Sequence, residues 1–284
     1  MLERIKSKIK HNEFVWRYLT NFGPTVGYKL QSQVLNLEER RIVDALKNDG
    51  IARTTVRELF EDISSFEALV RETERVKAMR AEDIATARGK ANRPDCRQGK
   101  SFKLSLLGPK PIFDPQSPFS KFALHPAIVR IVEAYLGMYA RLQYFNIWIN
   151  FAVDHPARSS QLWHRDRDDI HIVKGFLYLS DVEASSGPLT YARHSQRRGP
   201  QNLNPAAIVE NGVLRTTNQQ MMEVLPAGDV IEAVGPIGTL VFADTHGYHK
   251  GGHVREGERL LFTFMFTSPN ADLPKLMTGL SDVC

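Results

Sequence analysis

The feature that most constrains the fold is a short polar segment carrying His164 and Asp166 between two apolar, strand-like runs, residues 149–153 and 176–179. In an extended chain, residues i and i+2 point to the same side. An imidazole and a carboxylate would therefore converge from this one segment. A further histidine, His249, follows another apolar run much later in the chain. Two histidines and one carboxylate that leave other coordination positions open suit a non-haem Fe(II) centre.

The motifs around these residues occur in a fixed order: an apolar strand over 142–153, His164 with Asp166, a strand over 175–181, the turn Gly187-Pro188-Leu189, and then His249 with Arg259. This order resembles the phytanoyl-CoA dioxygenase family of 2-oxoglutarate-dependent oxygenases over roughly residues 36–269. The resemblance is specific for the family. It says little about the substrate, because family members with this core act on very different molecules.

The resemblance also selects the third ligand from three neighbouring histidines. The family pattern of glycine, aromatic residue, histidine, basic residue and two glycines matches residues 247–252, and it selects His249. His246 would then lie at the rim of the site and His253 in a surface turn. Each of these two remains an alternative ligand.

The letters of residues 164–166 also match the His-Arg-Asp of a protein-kinase catalytic loop. That loop requires an asparagine five residues after its aspartate. This chain has His171 at that position, and no glycine-rich phosphate loop precedes the segment. We therefore exclude a kinase.

Two further residues are candidates for binding the cosubstrate. Arg259 begins an apolar strand after His249, and a buried cation needs an anionic partner. By the resemblance, Arg259 would hold the distal carboxylate of 2-oxoglutarate with two parallel hydrogen bonds; the alternative is an exposed strand-end arginine, which describes Arg255 better. Asn146 would also contact 2-oxoglutarate by the resemblance. Otherwise its amide is buried and bonded to the backbone.

The resemblance implies an enzyme that uses Fe(II), 2-oxoglutarate and dioxygen to hydroxylate a small organic substrate, with succinate and carbon dioxide as co-products. Asp166 favours hydroxylation, or a desaturation or ring chemistry that starts from the same hydrogen abstraction, because related halogenating enzymes lack this carboxylate. Two alternatives remain open: a binding protein without catalysis, and a jelly-roll metalloenzyme that does not use 2-oxoglutarate. Arg259 argues against the latter, because such a barrel has no need of that cation.

We predict an α+β chain with an N-terminal extension over residues 1–35 and a single Fe(II)/2-oxoglutarate dioxygenase domain over 36–284. Residues 36–140 are expected to be largely helical. Residues 141–270 are expected to form a double-stranded β-helix, or jelly roll, with the helices buttressing one sheet. Local signals predict a helix from Asn36 to Gly50, a strand over 51–56, a helix capped by Ser64 and Glu67 that runs to about Ala87, a loop over 88–110, and a helix from Pro126 to Gly137.

Composition narrows the class of protein. The chain has 284 residues and a formal charge of +5, but the positive charge is spread along it, so we expect no nucleic-acid partner. No run of about 18 apolar residues occurs, and the first ten residues lack the apolar stretch of a signal peptide, which predicts a cytoplasmic protein without a membrane span. Cys96 and Cys284 make no disulfide framework. The basic segment 88–110 is either a solvated surface or a rim that attracts an anionic small-molecule substrate.

Overall fold

The computed structural model describes residues 12–31, 33–93, 100–210 and 212–279. No helix in these ranges is both long and apolar enough to cross a membrane. The helices are α1 (Glu13–Val15), a π-helical turn (Trp16–Thr20), α2 (Phe22–Gln31), α3 (Leu37–Asp49), α4 (Val56–Leu59), α5 (Ser64–Met79), α6 (Ala81–Ala91), α7 (Pro118–Ala123), α8 (Pro126–Leu136) and α9 (Asn218–Met222), with 3₁₀ turns at Ser159–Gln161 and Ala184–Ser186. The strands are β1 (Ile51–Thr55), β2 (Lys103–Ser105), β3 (Ile112–Phe113), β4 (Arg141–Phe151), β5 (Val173–Tyr178), β6 (Leu189–Ala192), β7 (Ile208–Glu210), β8 (Val213–Arg215), β9 (Val230–Ala233), β10 (Thr239–Asp244), β11 (His249–Gly251), β12 (Glu258–Thr267) and β13 (Thr278–Gly279).

Two antiparallel sheets form the body of the fold. The larger has six strands in the order β1-β10-β5-β12-β4-β2, and the smaller has three in the order β11-β6-β9. Side chains from both sheets line one cavity. The predicted mixture of helices and strands is confirmed, and both sheets are antiparallel.

Strand β12 shows how the larger sheet separates the core from this cavity. Side chains alternate between the two faces of a strand. The even-numbered residues from Leu260 to Phe266 belong to the main hydrophobic core, together with apolar residues of α3 and α8. Between them, Leu261, Thr263 and Met265 line the cavity. The helices therefore cover one face of the larger sheet and leave the other face to the site.

Several predicted helix ends are confirmed. Asn36 and Glu39 form a reciprocal capping box at the start of α3, and Gly50 ends that helix in the left-handed conformation, with φ of 80°. Helix α8 begins at a proline and is ended by Gly137, also left-handed. The strand predicted over 51–56 is one residue shorter, because Thr55 is the N-cap of α4.

The helix predicted to be capped by Ser64 and Glu67 is wrong at both ends. Ser64 is the first helical residue rather than the N-cap, and no side-chain cap forms. The backbone N–H and the hydroxyl of Ser64 instead donate to Asp62. The helix then ends at Met79, well before the predicted Ala87.

The break between α5 and α6 lies at Arg80. The guanidinium of Arg80 donates to the backbone carbonyls of Ser105 and Leu106, at 2.9 and 2.8 Å, and it pairs with Asp83. We attribute the break to these contacts with a distant segment, which the local sequence does not encode.

The predicted loop over 88–110 is wrong in part. Helix α6 continues into this segment, and β2 forms within it and pairs with β4. Residues 94–99, including Cys96, lie outside the described residues, as does Cys284.

Part of the predicted N-terminal extension packs against the rest of the chain. Trp16 is buried, and its indole N–H donates to Asp169 at 2.7 Å and to the hydroxyl of Ser268 at 3.2 Å. Asn21 is also buried and accepts a hydrogen bond from the backbone of Asn270. Residues 1–11 and 32 lie outside the described residues.

A buried histidine links this N-terminal segment to β10. His171 places Nδ1 3.0 Å from Oδ2 of Asp244 and Nε2 3.7 Å from Oε1 of Glu13. Tyr135 donates to Asp244 at 2.6 Å, and Arg198 pairs with Glu13. Burial opposes a charge on the imidazole, but the interactions with Asp244 and Glu13 outweigh it and raise the pKa of His171.

We expect this link to weaken as the pH rises. Because the pKa of His171 is raised in the folded protein, its stabilising charge is fully present below the ordinary histidine pKa. That stabilisation is lost as the pH rises through the raised value. Hydrogen exchange of residues 13–31, corrected for intrinsic base catalysis, should accelerate over that interval in the wild type and show no such step in His171→Gln. The same pH response in both proteins would contradict this role of His171.

A second prediction concerns Gly175 of β5, which lies opposite Phe264 on the neighbouring strand β12. A Cβ added to Gly175 would lie 1.9 Å from Cζ of Phe264, so Gly175→Ala should lower the free energy of unfolding by about 1–3 kcal/mol. Gly89→Ala is a matched control, because nothing lies within 4 Å of an added Cβ there. It should be neutral or stabilise its helix by up to about 1 kcal/mol. Urea denaturation measures both, and equal stabilities would refute the predicted clash.

Candidate metal centre

The structure brings His164, Asp166 and His249 together, and two of them, His164 and His249, line the cavity. One potential ligand atom from each residue lies within 4.8 Å of those of the other two. The two segments that carry them pair directly. The backbone N–H of His164 donates to the carbonyl of His249 at 2.9 Å, and that of His249 returns the bond at 3.0 Å. The backbone N–H of Asp166 donates to Thr245 at 2.9 Å, which extends the pairing to the carboxylate ligand.

Backbone carbonyls orient both imidazoles. Nδ1 of His164 lies 2.8 Å from the carbonyl of Leu162, and Nδ1 of His249 lies 3.0 Å from that of Gly247. Since a carbonyl only accepts, each Nδ1 carries the proton and each Nε2 keeps its lone pair. Burial lowers the pKa of both histidines. Two neutral imidazoles with free Nε2 atoms are the form in which histidine binds a metal.

The carboxylate of Asp166 is held ionised by a lysine to which the sequence analysis gave no role. Nζ of Lys174 lies 2.6 Å from Oδ2 of Asp166, and Nε2 of His249 lies 3.6 Å from the same oxygen. Burial alone would raise the pKa of Asp166, but the charge and the hydrogen bond of Lys174 oppose burial, and that pKa is lowered. Lys174 lies one residue into β5, where its side chain enters the cavity.

The two alternative histidines lie in different surroundings. His253 places Nε2 2.9 Å from the carbonyl of Val153. His246 is near the site, and its carbonyl accepts a hydrogen bond from Arg165. Neither belongs to the group of three donors found in the described residues.

Arg259 lines the same cavity as His164 and His249. It is 5% exposed, and its Nε has no hydrogen-bond partner in the described part of the chain. Burial lowers the pKa of Arg259 to about 10, so the guanidinium is charged at neutral pH. A Cβ built on Gly251 would lie 3.8 Å from Nη2 of Arg259, and Gly251 is two residues beyond His249 on β11, or about 7 Å along the strand. A short dicarboxylate that spans this distance would satisfy both the metal and the orphaned guanidinium.

The side chain of the other cosubstrate candidate, Asn146, is hydrogen-bonded to backbone groups. Its side chain donates to the carbonyl of Gly108 at 2.7 Å and accepts from the N–H of Leu107 at 3.2 Å. Asn150, four residues further along β4, lines the cavity instead. A contact between Asn146 and 2-oxoglutarate stays a prediction. Arg255, the alternative to Arg259, is exposed.

Comparison with known proteins identifies the fold. No protein-family model and no curated protein matches the sequence. Among solved structures, EctD from S. alaskensis with 2-oxoglutarate and 5-hydroxyectoine is 16% identical at a TM-score of 0.55, over 90% of this chain and 84% of that one. The epimerase SnoN in complex with Fe3+, alpha ketoglutarate and nogalamycin RO is 16% identical at 0.50, over 84% and 90%. HygX from Streptomyces hygroscopicus with nickel and 2-oxoglutarate is 16% identical at 0.50, over 87% and 96%. The chain shares the mixed helix and strand fold of these proteins.

We expect the purified protein to bind one Fe(II) through His164, Asp166 and His249. Replacing His249 with alanine should lower Fe(II) affinity by more than about tenfold, because removing a ligand should weaken a site more than losing an outer-shell partner does. His253→Ala is the matched control and should bind Fe(II) as the wild type does. Anaerobic equilibrium dialysis with metal analysis measures the affinity, and circular dichroism checks the fold. If His246→Ala loses the metal and His249→Ala retains it, the assignment of the third ligand is wrong.

Proposed function

We propose that this chain is an Fe(II)- and 2-oxoglutarate-dependent dioxygenase of the phytanoyl-CoA dioxygenase family that hydroxylates a small organic substrate. One observation carries the proposal: the cavity lined by two members of a His-Asp-His donor set, His164 and His249, is also lined by a buried guanidinium whose Nε has no partner among the described residues. The donor set suits Fe(II), and the guanidinium suits the far carboxylate of 2-oxoglutarate. The cosubstrates named for EctD, SnoN and HygX support the same assignment.

The residues of the cavity have distinct roles in this proposal. His164 and His249 bind the metal through Nε2 and Asp166 binds it through a carboxylate oxygen, which leaves positions for 2-oxoglutarate and dioxygen. Held by these residues, Fe(II) would supply the redox chemistry by which dioxygen converts 2-oxoglutarate to succinate and carbon dioxide and hydroxylates a substrate C–H bond. Arg259 orients the cosubstrate, and Leu189 on β6 is one of the apolar residues that exclude water from the cavity.

The architecture fits the same proposal. The larger and the smaller sheet face each other across the cavity, and we propose that they are the two halves of a double-stranded β-helix. The catalytic domain then begins near residue 36, and the helices before β4 buttress the larger sheet. Of the two rival functions, a metalloenzyme that does not use 2-oxoglutarate leaves the charge of Arg259 unexplained, because burying an unpaired cation is unfavourable. A binding protein that had lost catalysis would be expected to lack one of the metal donors, and all three are present.

We predict that Arg259 sets the affinity for 2-oxoglutarate. Removing one partner of a buried charge pair costs about 3–5 kcal/mol, and about 1.4 kcal/mol is tenfold in affinity. Arg259→Ala should therefore weaken 2-oxoglutarate binding by roughly two to three orders of magnitude, with Fe(II) affinity nearly unchanged. Arg259→Lys should be intermediate, because it keeps the charge and loses the planar fork. The exposed Arg255→Ala is the control and should have little effect.

The measurement is an anaerobic titration of the Fe(II) protein with 2-oxoglutarate, followed by its metal-to-ligand charge-transfer absorption. A wild-type protein that binds Fe(II) and never develops this absorption would refute the use of 2-oxoglutarate. An unchanged titration in Arg259→Ala would remove Arg259 from the cosubstrate site.

A further inference from the structure

The cavity is lined by more positively charged side chains than the metal site and the cosubstrate would use. Its lining includes Lys100, Lys103 and Lys174, which we call the lysine cluster, in addition to Arg259. Asp168 is the one carboxylate that joins them in the described lining. The cavity has a volume of about 450 Å³, toward the lower end of the range for small-molecule sites.

Lys103 is placed to present its charge to the cavity. On β2 it pairs with Asn150 of β4, which in turn pairs with Arg259 of β12, so the three side chains share one face of the sheet. Its Nζ lies 3.8 Å from the centroid of the Trp148 ring. Across the described ranges of the chain, neither a hydrogen bond nor an ion pair engages this ammonium. A cation–π contact offsets only part of the desolvation of a charge.

Neighbouring charges make this arrangement unfavourable in the absence of an anion. Burial, together with the charges of the other two lysines of the cluster and of Arg259, lowers the pKa of Lys103 to about 7. Desolvation and the guanidinium of Arg215 likewise lower the pKa of Lys100. Arg215 is itself 9% exposed, with Nε and Nη1 unpaired within the described residues. An anion bound among these groups would relieve their mutual repulsion.

Neither the metal nor the cosubstrate supplies that anion. The two charges of Fe(II) and the two of 2-oxoglutarate cancel. Asp166, already paired with Lys174, and Asp168 balance two of the four cations that line the cavity. Lys100 and Lys103 are left without a counter-ion in the part of the cavity that the structure describes.

We propose that the lysine cluster binds an oxyanion group of the substrate, a phosphate, phosphonate or carboxylate, with Lys103 as its main contact. The inference rests on the proposed function, because the charge balance assumes bound Fe(II) and 2-oxoglutarate. The apolar lining beside the cluster, Trp148 and Phe176 included, would contact the carbon skeleton. The substrate is then a small anion, anchored at one end so that a C–H bond faces the metal.

The test is calorimetric titration of the anaerobic Fe(II) protein, saturated with 2-oxoglutarate so that Arg259 is occupied. The probes are methylphosphonate, acetate and, as an uncharged control, methanol. At least one anion should bind saturably, and methanol should not. The anion that binds more tightly identifies the oxyanion group of the substrate: methylphosphonate indicates a phosphonate or phosphate, and acetate indicates a carboxylate.

Lys103→Gln should weaken binding of that anion by about ten- to a hundredfold, as expected for a lost charge-assisted hydrogen bond. Lys110→Gln is the matched control, because Lys110 is exposed in the same segment and does not line the cavity; it should bind like the wild type. Lys100→Gln, at the rim, gives a second variant with a smaller loss. Retention of the 2-oxoglutarate charge-transfer band shows that each variant is folded.

Two results overturn the inference: no saturable binding of either anion, or equal affinities in Lys103→Gln and Lys110→Gln. Failure of the proposed function looks different. The wild type would then bind no 2-oxoglutarate, while titration of either anion into the protein alone would still report on the lysine cluster.

Discussion

The site depends on one short antiparallel pairing, the two backbone hydrogen bonds between His164 and His249. The bridge fixes the backbone of each histidine, and a hydrogen bond from Nδ1 to a carbonyl of the same segment orients each imidazole ring. Asp166 joins through its bond to Thr245. Because backbone geometry sets the positions of all three candidate ligands, a metal that bound them would require little reorganisation of the protein.

The cavity is electrostatically unfavourable for the protein alone. Arg259 and Lys103 are desolvated on the same face of the larger sheet, and burial lowers the pKa of both. Such groups oppose folding unless they are paired, and the apolar core on the other face of the larger sheet supplies the stability that offsets them. An anionic cosubstrate and an anionic substrate would each remove part of this penalty on binding. Affinity and selectivity for anions would then come from the same charges.

The sequence predicted what local chemistry encodes. The caps at Asn36 and Gly50 follow from single residues, and the convergence of His164 with Asp166 follows from the alternation of side chains in an extended segment. It did not predict what depends on contacts between distant segments. The helix break at Arg80 is tied to carbonyls of another segment, and Lys174 acquires its partner only when β5 lies beside the metal ligands. The sequence signal for Lys174 was a single lysine near the start of an otherwise apolar strand.

The most direct test of the central claim is an anaerobic crystal structure of the protein with Fe(II) and 2-oxoglutarate. We predict one metal bound by Nε2 of His164, Nε2 of His249 and a carboxylate oxygen of Asp166. The cosubstrate should chelate that metal at one end and meet the guanidinium of Arg259 at the other. A metal bound by His246 or His253 would contradict the site described here. So would a cosubstrate whose far carboxylate lies on Lys103 and leaves Arg259 unpaired.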